Sequence, residues 1–187
     1  MNGIALLRGL ACRAMVALLM ASTAHGAAPS TDSSLTLASA DEPGEKLVVS
    51  GLIVGRSGQP LPGVQVHVYQ TDASGRYTLE RPMDEPHARL SGWLRTDAQG
   101  RFELRTIRPG GYQHTRRLGG RDRKIPAHIH LDVTAPGCAP CRFQAVFADD
   151  PLLTDPYWES WVKKLHQPVL TVRSAGAIKT AELRISL

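Results

Sequence analysis

The chain has 187 residues, of which 42% are apolar and 21% are charged. This length favours one domain, and the apolar content excludes a chain that stays disordered. A polytopic membrane protein is also excluded, because the one long apolar run lies at the extreme N-terminus. Glycine and proline together contribute 30 residues, which favours turns and short strands over long helices. The formal charge of +5 is mild and carries no information about the fold.

Residues 1–26 have the three regions of a secretory signal peptide. Arg8 and Arg13 supply the positive region, Ala14–Ala21 is the apolar run, and Ala24–Gly26 has the spacing of a cleavage site. The run is too short for a membrane anchor, which needs about 20 apolar residues. We therefore expect cleavage, a mature chain without a membrane span, and a periplasmic or secreted protein. Cleavage removes two basic residues and lowers the formal charge to +3.

The remaining chain divides into a linker and one domain. Residues 27–45 contain ten Ala, Ser or Thr without periodicity, which predicts a flexible linker. From residue 46 to 187, short alternating runs separated by turns predict an antiparallel β-sandwich or barrel. The predicted strands are Leu47–Val54, Val64–Tyr69, Trp93–Thr96, Phe102–Thr106, Ala127–Thr134, Phe143–Ala148 and Ala181–Leu187. Only Tyr157–Leu165 has a helical pattern, and it is short.

Two cysteines remain after the leader, Cys138 and Cys141, in the sequence Cys-Ala-Pro-Cys. A zinc site would need a second pair of ligands, which is missing. A thioredoxin-like role would need a βαβ pattern around the pair, which is also missing. In an exported protein the spacing favours a small structural disulfide that closes a turn after a strand.

The strongest chemical pattern is His128-Ile129-His130 on a predicted strand. Positions i and i+2 face the same side of a strand, about 6.6–6.8 Å apart, so two imidazoles can converge on one metal ion. The alternative is an ordinary pair of strand histidines. Asp132 shares their face and could supply a carboxylate for Fe(II), although three consecutive same-face positions span a long distance for one ion.

Two tyrosines offer a different ligand set. Tyr77 follows a Gly-Arg turn and Tyr112 follows Pro-Gly-Gly, so both lie in predicted loops, where a core role is less natural. A phenolate is a hard anionic oxygen ligand that suits Fe(III). Loop tyrosines are more often generic than metal ligands, so composition alone leaves this choice open.

Five motifs, taken together and in order, resemble the intradiol ring-cleavage dioxygenases, with the protocatechuate 3,4-dioxygenase type as the nearest likeness. The resemblance extends from Val48 to the last strand. It implies a β-sandwich, so we expect an all-β protein, an antiparallel β-sandwich with a short peripheral helix. The motifs are Gly75–Tyr77, Arg95–Phe102, Thr106–Tyr112, Pro126–Leu131 and Phe147–Leu152.

The resemblance also implies a non-haem Fe(III) site with Tyr77, Tyr112, His128 and His130 as the ligands. Tyr77 and His128 correspond to the equatorial pair, Tyr112 and His130 to the axial pair. The implied reaction cleaves a catechol-type ring between its two hydroxyl-bearing carbons with O2 and gives a muconate-type diacid. In this family the axial tyrosine leaves the metal and takes up a substrate proton, which assigns Tyr112 a catalytic role as well.

Two further residues follow from the family pattern. Gln144 lies where the family has a glutamine near the substrate. The family often has an arginine at the position of Ile125, which stabilises the anionic intermediate; Arg123 or Lys124 is a hypothetical substitute. The spacing from Tyr112 to His128 is also longer than in the protocatechuate enzymes, so the catechol used is left open. Those enzymes pair two related chains, and a homo-oligomer of this chain is one option.

Residues 101–124 hold eight Lys or Arg against two acidic residues, a net charge of +6. Such a run is usually a solvated loop, but beside a metal site it could attract carboxylated aromatic compounds. We expect no nucleic-acid partner, since no aromatic platform accompanies the charge. The rival to the enzyme is a non-catalytic exported β-sandwich binding module of the carboxypeptidase-regulatory or transthyretin-like type. It explains the first strands but not His128-Ile129-His130 or Tyr112.

Overall fold

A computed structural model describes residues 32–113, 118 and 120–187. The predicted signal peptide, 1–26, and the first part of the predicted linker lie outside the described residues. The strands of the described residues are β1 Ser34–Thr36, β2 Lys46–Val54, β3 Gln65–Gln70, β4 Leu90–Arg95, β5 Arg101–Ile107, β6 Tyr112–Gln113, β7 Lys124–Ile125, β8 His128–Thr134, β9 Cys141–Phe147, β10 Val169–Leu170, β11 Arg173–Ala175 and β12 Ile178–Ser186. Short 3-10 helices cover Glu85–His87 and Pro151–Thr154, and the helix α1 covers Pro156–Lys164.

Two five-stranded sheets form the sandwich, and β6 and β7 form a separate pair. The first sheet has the order β1-β5-β2-β12-β11 and the second has the order β10-β9-β8-β3-β4. The predicted all-β sandwich with one short helix is confirmed. The sheets are mixed rather than purely antiparallel, because β1 with β5, β2 with β12, and β9 with β10 pair in parallel. Within the described residues, no helix is long and apolar enough to cross a membrane.

Strand alternation separates the core from the site. In β3, Val66 and Val68 point into the core between the sheets, where Ile129 and Leu131 of β8 meet them. The residues between these point to the other face of the same sheet, since successive side chains of a strand alternate. That outer face of the second sheet, including His130, is covered by the loop between β3 and β4.

The described part of the predicted linker, residues 32–45, belongs to the sandwich, so the prediction of a flexible linker is wrong there. β1 pairs with β5, and Leu35 and Leu37 pack against the core. Further along, Arg89 donates two hydrogen bonds of 2.7 Å to the carboxylate of Glu42. The segment was predicted as a linker because of its small polar residues. Its three-residue strand depends on pairing with β5, which lies far along the chain.

The cysteines also differ from expectation, because Cys138 and Cys141 are both free. Cys141 is the first residue of β9, and pairing with Val133 fixes its backbone. Its thiol points to the carbonyl of Ala139, 3.4 Å away, while Cys138 is exposed on the turn. The predicted disulfide is therefore not formed in this structure.

Candidate metal centre

Four side chains meet on the outer face of the second sheet. His128 and His130 come from β8, Tyr77 from the loop after β3, and Tyr112 from β6. The Tyr77 hydroxyl lies 2.9 Å from His130 Nε2 and 3.2 Å from the Tyr112 hydroxyl. The Nε2 atoms of the two histidines are 2.9 Å apart. The structure thus brings together all four residues that the family resemblance implies as metal ligands.

Burial keeps these groups neutral. His130 is 1% exposed and Tyr77 is 2% exposed. Burial lowers the pKa of both imidazoles, that of His130 to about 2, and raises the pKa of the Tyr77 and Tyr112 phenols. The imidazoles are therefore uncharged at neutral pH, which is the form that binds metals.

One imidazole is oriented by the backbone and the other is not. His128 Nδ1 donates a hydrogen bond of 2.7 Å to the carbonyl of Pro126, which leaves its Nε2 lone pair directed at the cluster. His130 Nδ1 is buried and has no hydrogen-bond partner among the described residues. The two histidines of the His-Ile-His motif are thus held by different means.

The two tyrosines are brought together by tight contact between their loops. Gly110 donates a backbone hydrogen bond of 2.8 Å to the carbonyl of Asp72, and Thr71 donates through its hydroxyl to the carbonyl of Gly110, also at 2.8 Å. A Cβ on Gly110 would lie 2.5 Å from the carbonyl oxygen of Ala73 and 2.6 Å from the nitrogen of Gly75. Only glycine fits this approach, which explains the Pro-Gly-Gly sequence before Tyr112.

The loop that carries Tyr77 is held from within. The Asp72 carboxylate accepts hydrogen bonds from the backbone of Ser74, at 2.8 Å, and of Arg76, at 3.1 Å. Tyr77 itself donates its backbone N–H to Pro82 and accepts from Arg89 at its carbonyl. Both backbone groups of Tyr77 are satisfied, so its ring enters the site from a fixed position.

The segment before His128 is anchored by Asp150. One oxygen of its carboxylate accepts from the backbone N–H of Ala127, at 2.8 Å, and the other caps the 3-10 helix by accepting from Leu152, at 2.9 Å. Trp158 of α1 donates its ring N–H to the carbonyl of Lys124 at 3.1 Å. The short helix therefore braces β7 and the entry into β8.

The other two predicted site residues, Gln144 and Arg123, differ in their position relative to the cluster. Gln144 lies directly opposite His130 in the antiparallel β8–β9 pair, so its side chain is on the face of the cluster. Arg123 forms an ion pair with Asp155, and its guanidinium lies 4.5 Å from the centre of the Tyr157 ring. The structure thus turns Arg123 towards the start of α1.

Asp132, considered as a carboxylate ligand, forms an ion pair with Arg142 at 2.7 Å instead. Among the described residues, no group of three or more His, Cys, Asp or Glu could hold a metal ion. A metal site here needs the two tyrosines. Of the four side chains, Tyr77, His128 and His130 are buried and Tyr112 is half-buried.

Sequence reasoning missed Tyr69 and Glu85. The Tyr69 ring stacks on the His130 imidazole with centroids 4.3 Å apart and an angle of 7°, and its hydroxyl donates to Glu85 Oε1 at 3.0 Å. Tyr69 alternates with the core valines of β3, so the sequence indicates that its side chain lies on the face of the sheet away from the core. The sequence does not indicate that β3 pairs with β8. No sequence pattern marks Glu85, which lies in a loop.

Comparison with known proteins gives the same family for most of the chain. Residues 21–186 match the Dioxygenase_C family model, described as Dioxygenase. Catechol 1,2-dioxygenase 2 of Acinetobacter lwoffii is 33% identical over 138 residues, which cover 70% of this chain and 50% of that protein. The protocatechuate 3,4-dioxygenase beta chain of Burkholderia cepacia is 33% identical over 124 residues, or 62% of this chain and 51% of that one. The chain spans about half the length of these curated relatives.

Solved structures agree. The dioxygenase domain of a dioxygenase–carbohydrate-binding protein fusion from Streptomyces sp. SirexAA-E has a TM-score of 0.62 and 30% identity. That match covers 87% of this chain and 94% of the other. Catechol 1,2-dioxygenase from Pseudomonas arvilla C-1 has a TM-score of 0.69 at 23% identity, covering 86% of this chain and 58% of that one, and supports the fold alone. With the family model matching most of its length, the chain belongs to the intradiol ring-cleavage dioxygenase family.

Proposed function

We propose that this protein is a non-haem Fe(III) dioxygenase. It cleaves catechol-type rings between the two hydroxyl-bearing carbons and places both atoms of O2 in a muconate-type diacid. Tyr77, Tyr112, His128 and His130 hold the metal. The observation that carries the proposal is the convergence of two phenol oxygens and two imidazole nitrogens through contacts of 2.9–3.2 Å.

The chemistry of the four donors fits a trivalent iron. Two phenolates supply two negative charges and hard oxygen ligands, and two neutral imidazoles add nitrogen ligands without charge. Burial opposes phenolate formation at this site, so a strongly charged cation is needed to draw off the phenol protons. His128 Nε2 is already free of its proton because Nδ1 donates to Pro126. When bound, Fe(III) supplies Lewis-acid chemistry that holds both substrate oxygens and activates the ring towards O2.

The two tyrosines are suited to different tasks. Tyr77 is 2% exposed, and both of its backbone groups are hydrogen-bonded, so it stays in place. Tyr112 is half-buried and belongs to a two-residue strand. Its ring has more freedom to turn away when a catechol enters, and its oxygen then accepts a substrate proton. Gln144 contacts the substrate beside the metal; its position opposite His130 in the β8–β9 pair supports this role.

We further propose that the protein works in the periplasm or outside the cell, because residues 1–26 have the pattern of a cleaved signal peptide. The substrate is a small aromatic diol. With Arg123 paired to Asp155, Lys124 of β7 is the remaining candidate for the arginine role that Ile125 cannot fill. Catechol is the first compound to test, because catechol 1,2-dioxygenases are among the relatives of this chain.

The test is to load the purified protein with iron and measure iron content, the visible spectrum and O2 uptake. We expect about one iron per chain, a phenolate-to-Fe(III) charge-transfer band, and uptake with catechol, protocatechuate or hydroxyquinol. With 18O2, both labelled atoms should enter the diacid. His128→Gln should lose the iron, whereas the matched control His67→Gln, on the same face but outside the cluster, should keep it. Colourless protein that cannot be loaded contradicts the proposal.

A further inference from the structure

His130 is the ligand whose orientation needs explanation. A metal-binding histidine almost always donates its second ring N–H to a carbonyl, a carboxylate or water, and this bond fixes the ring. His128 has such a bond to Pro126, but His130 Nδ1 has no partner among the described residues although the side chain is 1% exposed. Among the described residues, contacts other than a hydrogen bond at Nδ1 hold this imidazole.

Tyr69 stacks on the face of the His130 ring. The two residues lie directly opposite each other in the antiparallel pair of β3 with β8, so their side chains share a face. Their rings are nearly parallel, at 7°, with centroids 4.3 Å apart. The centre of the His67 ring lies 5.2 Å from that of Tyr69. Rotation of His130 about its side-chain bonds would break this stacking.

Glu85 fixes Tyr69 in turn. The Tyr69 hydroxyl donates a hydrogen bond of 3.0 Å to Glu85 Oε1, and Tyr69 is itself 4% exposed. The same carboxylate oxygen lies 4.0 Å from His130 Nε2. Glu85 begins the 3-10 helix of the loop that also carries Tyr77. The pair therefore connects the loop of one ligand to the ring of another.

We propose that Tyr69 and Glu85 are positioning residues for His130. The Tyr69 ring holds the His130 imidazole by stacking, and Glu85 holds the Tyr69 ring by accepting its hydroxyl hydrogen bond, so that His130 Nε2 faces Tyr77 and His128. This inference rests on the proposed ligand set. It assigns a role in metal binding to two residues that bind no metal themselves.

The first experiment measures iron affinity and the charge-transfer band. Tyr69→Leu removes the stacking and should lower iron affinity about 10–100-fold and shift the band. Tyr69→Phe keeps the ring but loses the bond to Glu85 and should lose less. Glu85→Gln retains an acceptor oxygen and should bind iron better than Glu85→Ala. The matched control is Trp93→Leu, because Trp93 stacks on His67, one ring further from the cluster.

The second experiment needs no metal and separates this inference from the proposed function. In metal-free protein with 15N-labelled histidine, Tyr69→Leu should shift and broaden the ring signals of His130 and leave those of His128 unchanged. If the wild type binds no iron, the proposed function fails while this measurement still decides on positioning. Should Tyr69→Leu not fold, the comparison of Tyr69→Phe and Glu85→Ala with Trp93→Leu replaces it. Wild-type His130 signals together with wild-type iron affinity in the folded Tyr69 variants overturn the inference.

Discussion

Gly110→Ala tests how the two tyrosines are brought together. The new Cβ would lie 2.5 Å from the Ala73 carbonyl oxygen, whereas ordinary contact begins at 3.4 Å, so the loops have to separate by about 0.9 Å. Both opposing atoms belong to the backbone, which cannot turn aside as a side chain can. Overpacking of this kind costs about 1–3 kcal/mol of unfolding free energy. At roughly 2–4 °C per kcal/mol, Tm should fall by about 2–12 °C.

The larger effect of Gly110→Ala should be on the proposed metal site. A displacement of about 0.9 Å, applied to the loop before Tyr112, moves its hydroxyl away from Tyr77. Misplacement by about 1 Å can reduce turnover about 100-fold. We expect weakened iron binding, a shifted charge-transfer band and a loss of activity near that size, measured beside thermal unfolding of the same preparation.

Gly137→Ala is the control, because it lies on the turn before Cys138 with open space around its Cβ position. Its φ of 74° makes alanine unfavourable there by about 1–2 kcal/mol, so stability should fall while the iron spectrum stays unchanged. If Gly110→Ala keeps the wild-type spectrum and activity, the loop contact does not position Tyr112, and the reasoning is refuted.

Three further variants test supporting contacts by chemical denaturation. The hydrogen bond and charge of Arg89 hold the pKa of Glu42 below its usual value. The pair therefore stabilises the fold at pH values above the pKa that Glu42 has in the unfolded chain. This stabilisation is lost as the pH falls through the lower pKa that Glu42 has in the folded protein. Glu42→Gln should cost about 0.2–1 kcal/mol at neutral pH, and a difference that persists in acid argues against the ion pair. Asp150→Ala leaves two backbone N–H groups without an acceptor and should cost about 1–3 kcal/mol, where no loss means the anchor before β8 is dispensable. Trp158→Phe loses one hydrogen bond to β7 and should cost about 1 kcal/mol; wild-type stability contradicts the bracing role of α1.

The fold was predictable where strands alternate over six or more residues. The predicted strands Leu47–Val54 and Ala127–Thr134 match the observed strands nearly in full, because their side chains alternate between the core and the opposite face of the sheet. Ser34–Thr36 was not predicted, since three residues carry no period and depend on β5 for their hydrogen bonds. The parallel pairings were equally invisible, because alternation fixes the face of a strand and not its neighbour.

The four candidate ligands could be brought into one set from the sequence only through the family pattern. The spacing of His128 and His130 indicates that they share a face of the strand. The sequence around Tyr77 and Tyr112 does not indicate that these two residues lie close to the histidines. Their convergence depends on loop contacts between residues far apart in the chain. Tyr69 remained hidden for the same reason, since its stacking on His130 follows from the register of β3 with β8.

Resonance Raman spectroscopy of the iron-loaded protein tests the central claim most directly. Excitation in the charge-transfer band enhances ring vibrations only of tyrosinates bound to Fe(III). We predict two tyrosinate sets in the wild type, with Tyr77→Phe and Tyr112→Phe each removing one of them. A spectrum without tyrosinate vibrations, or one that neither substitution alters, contradicts the proposed ligand set.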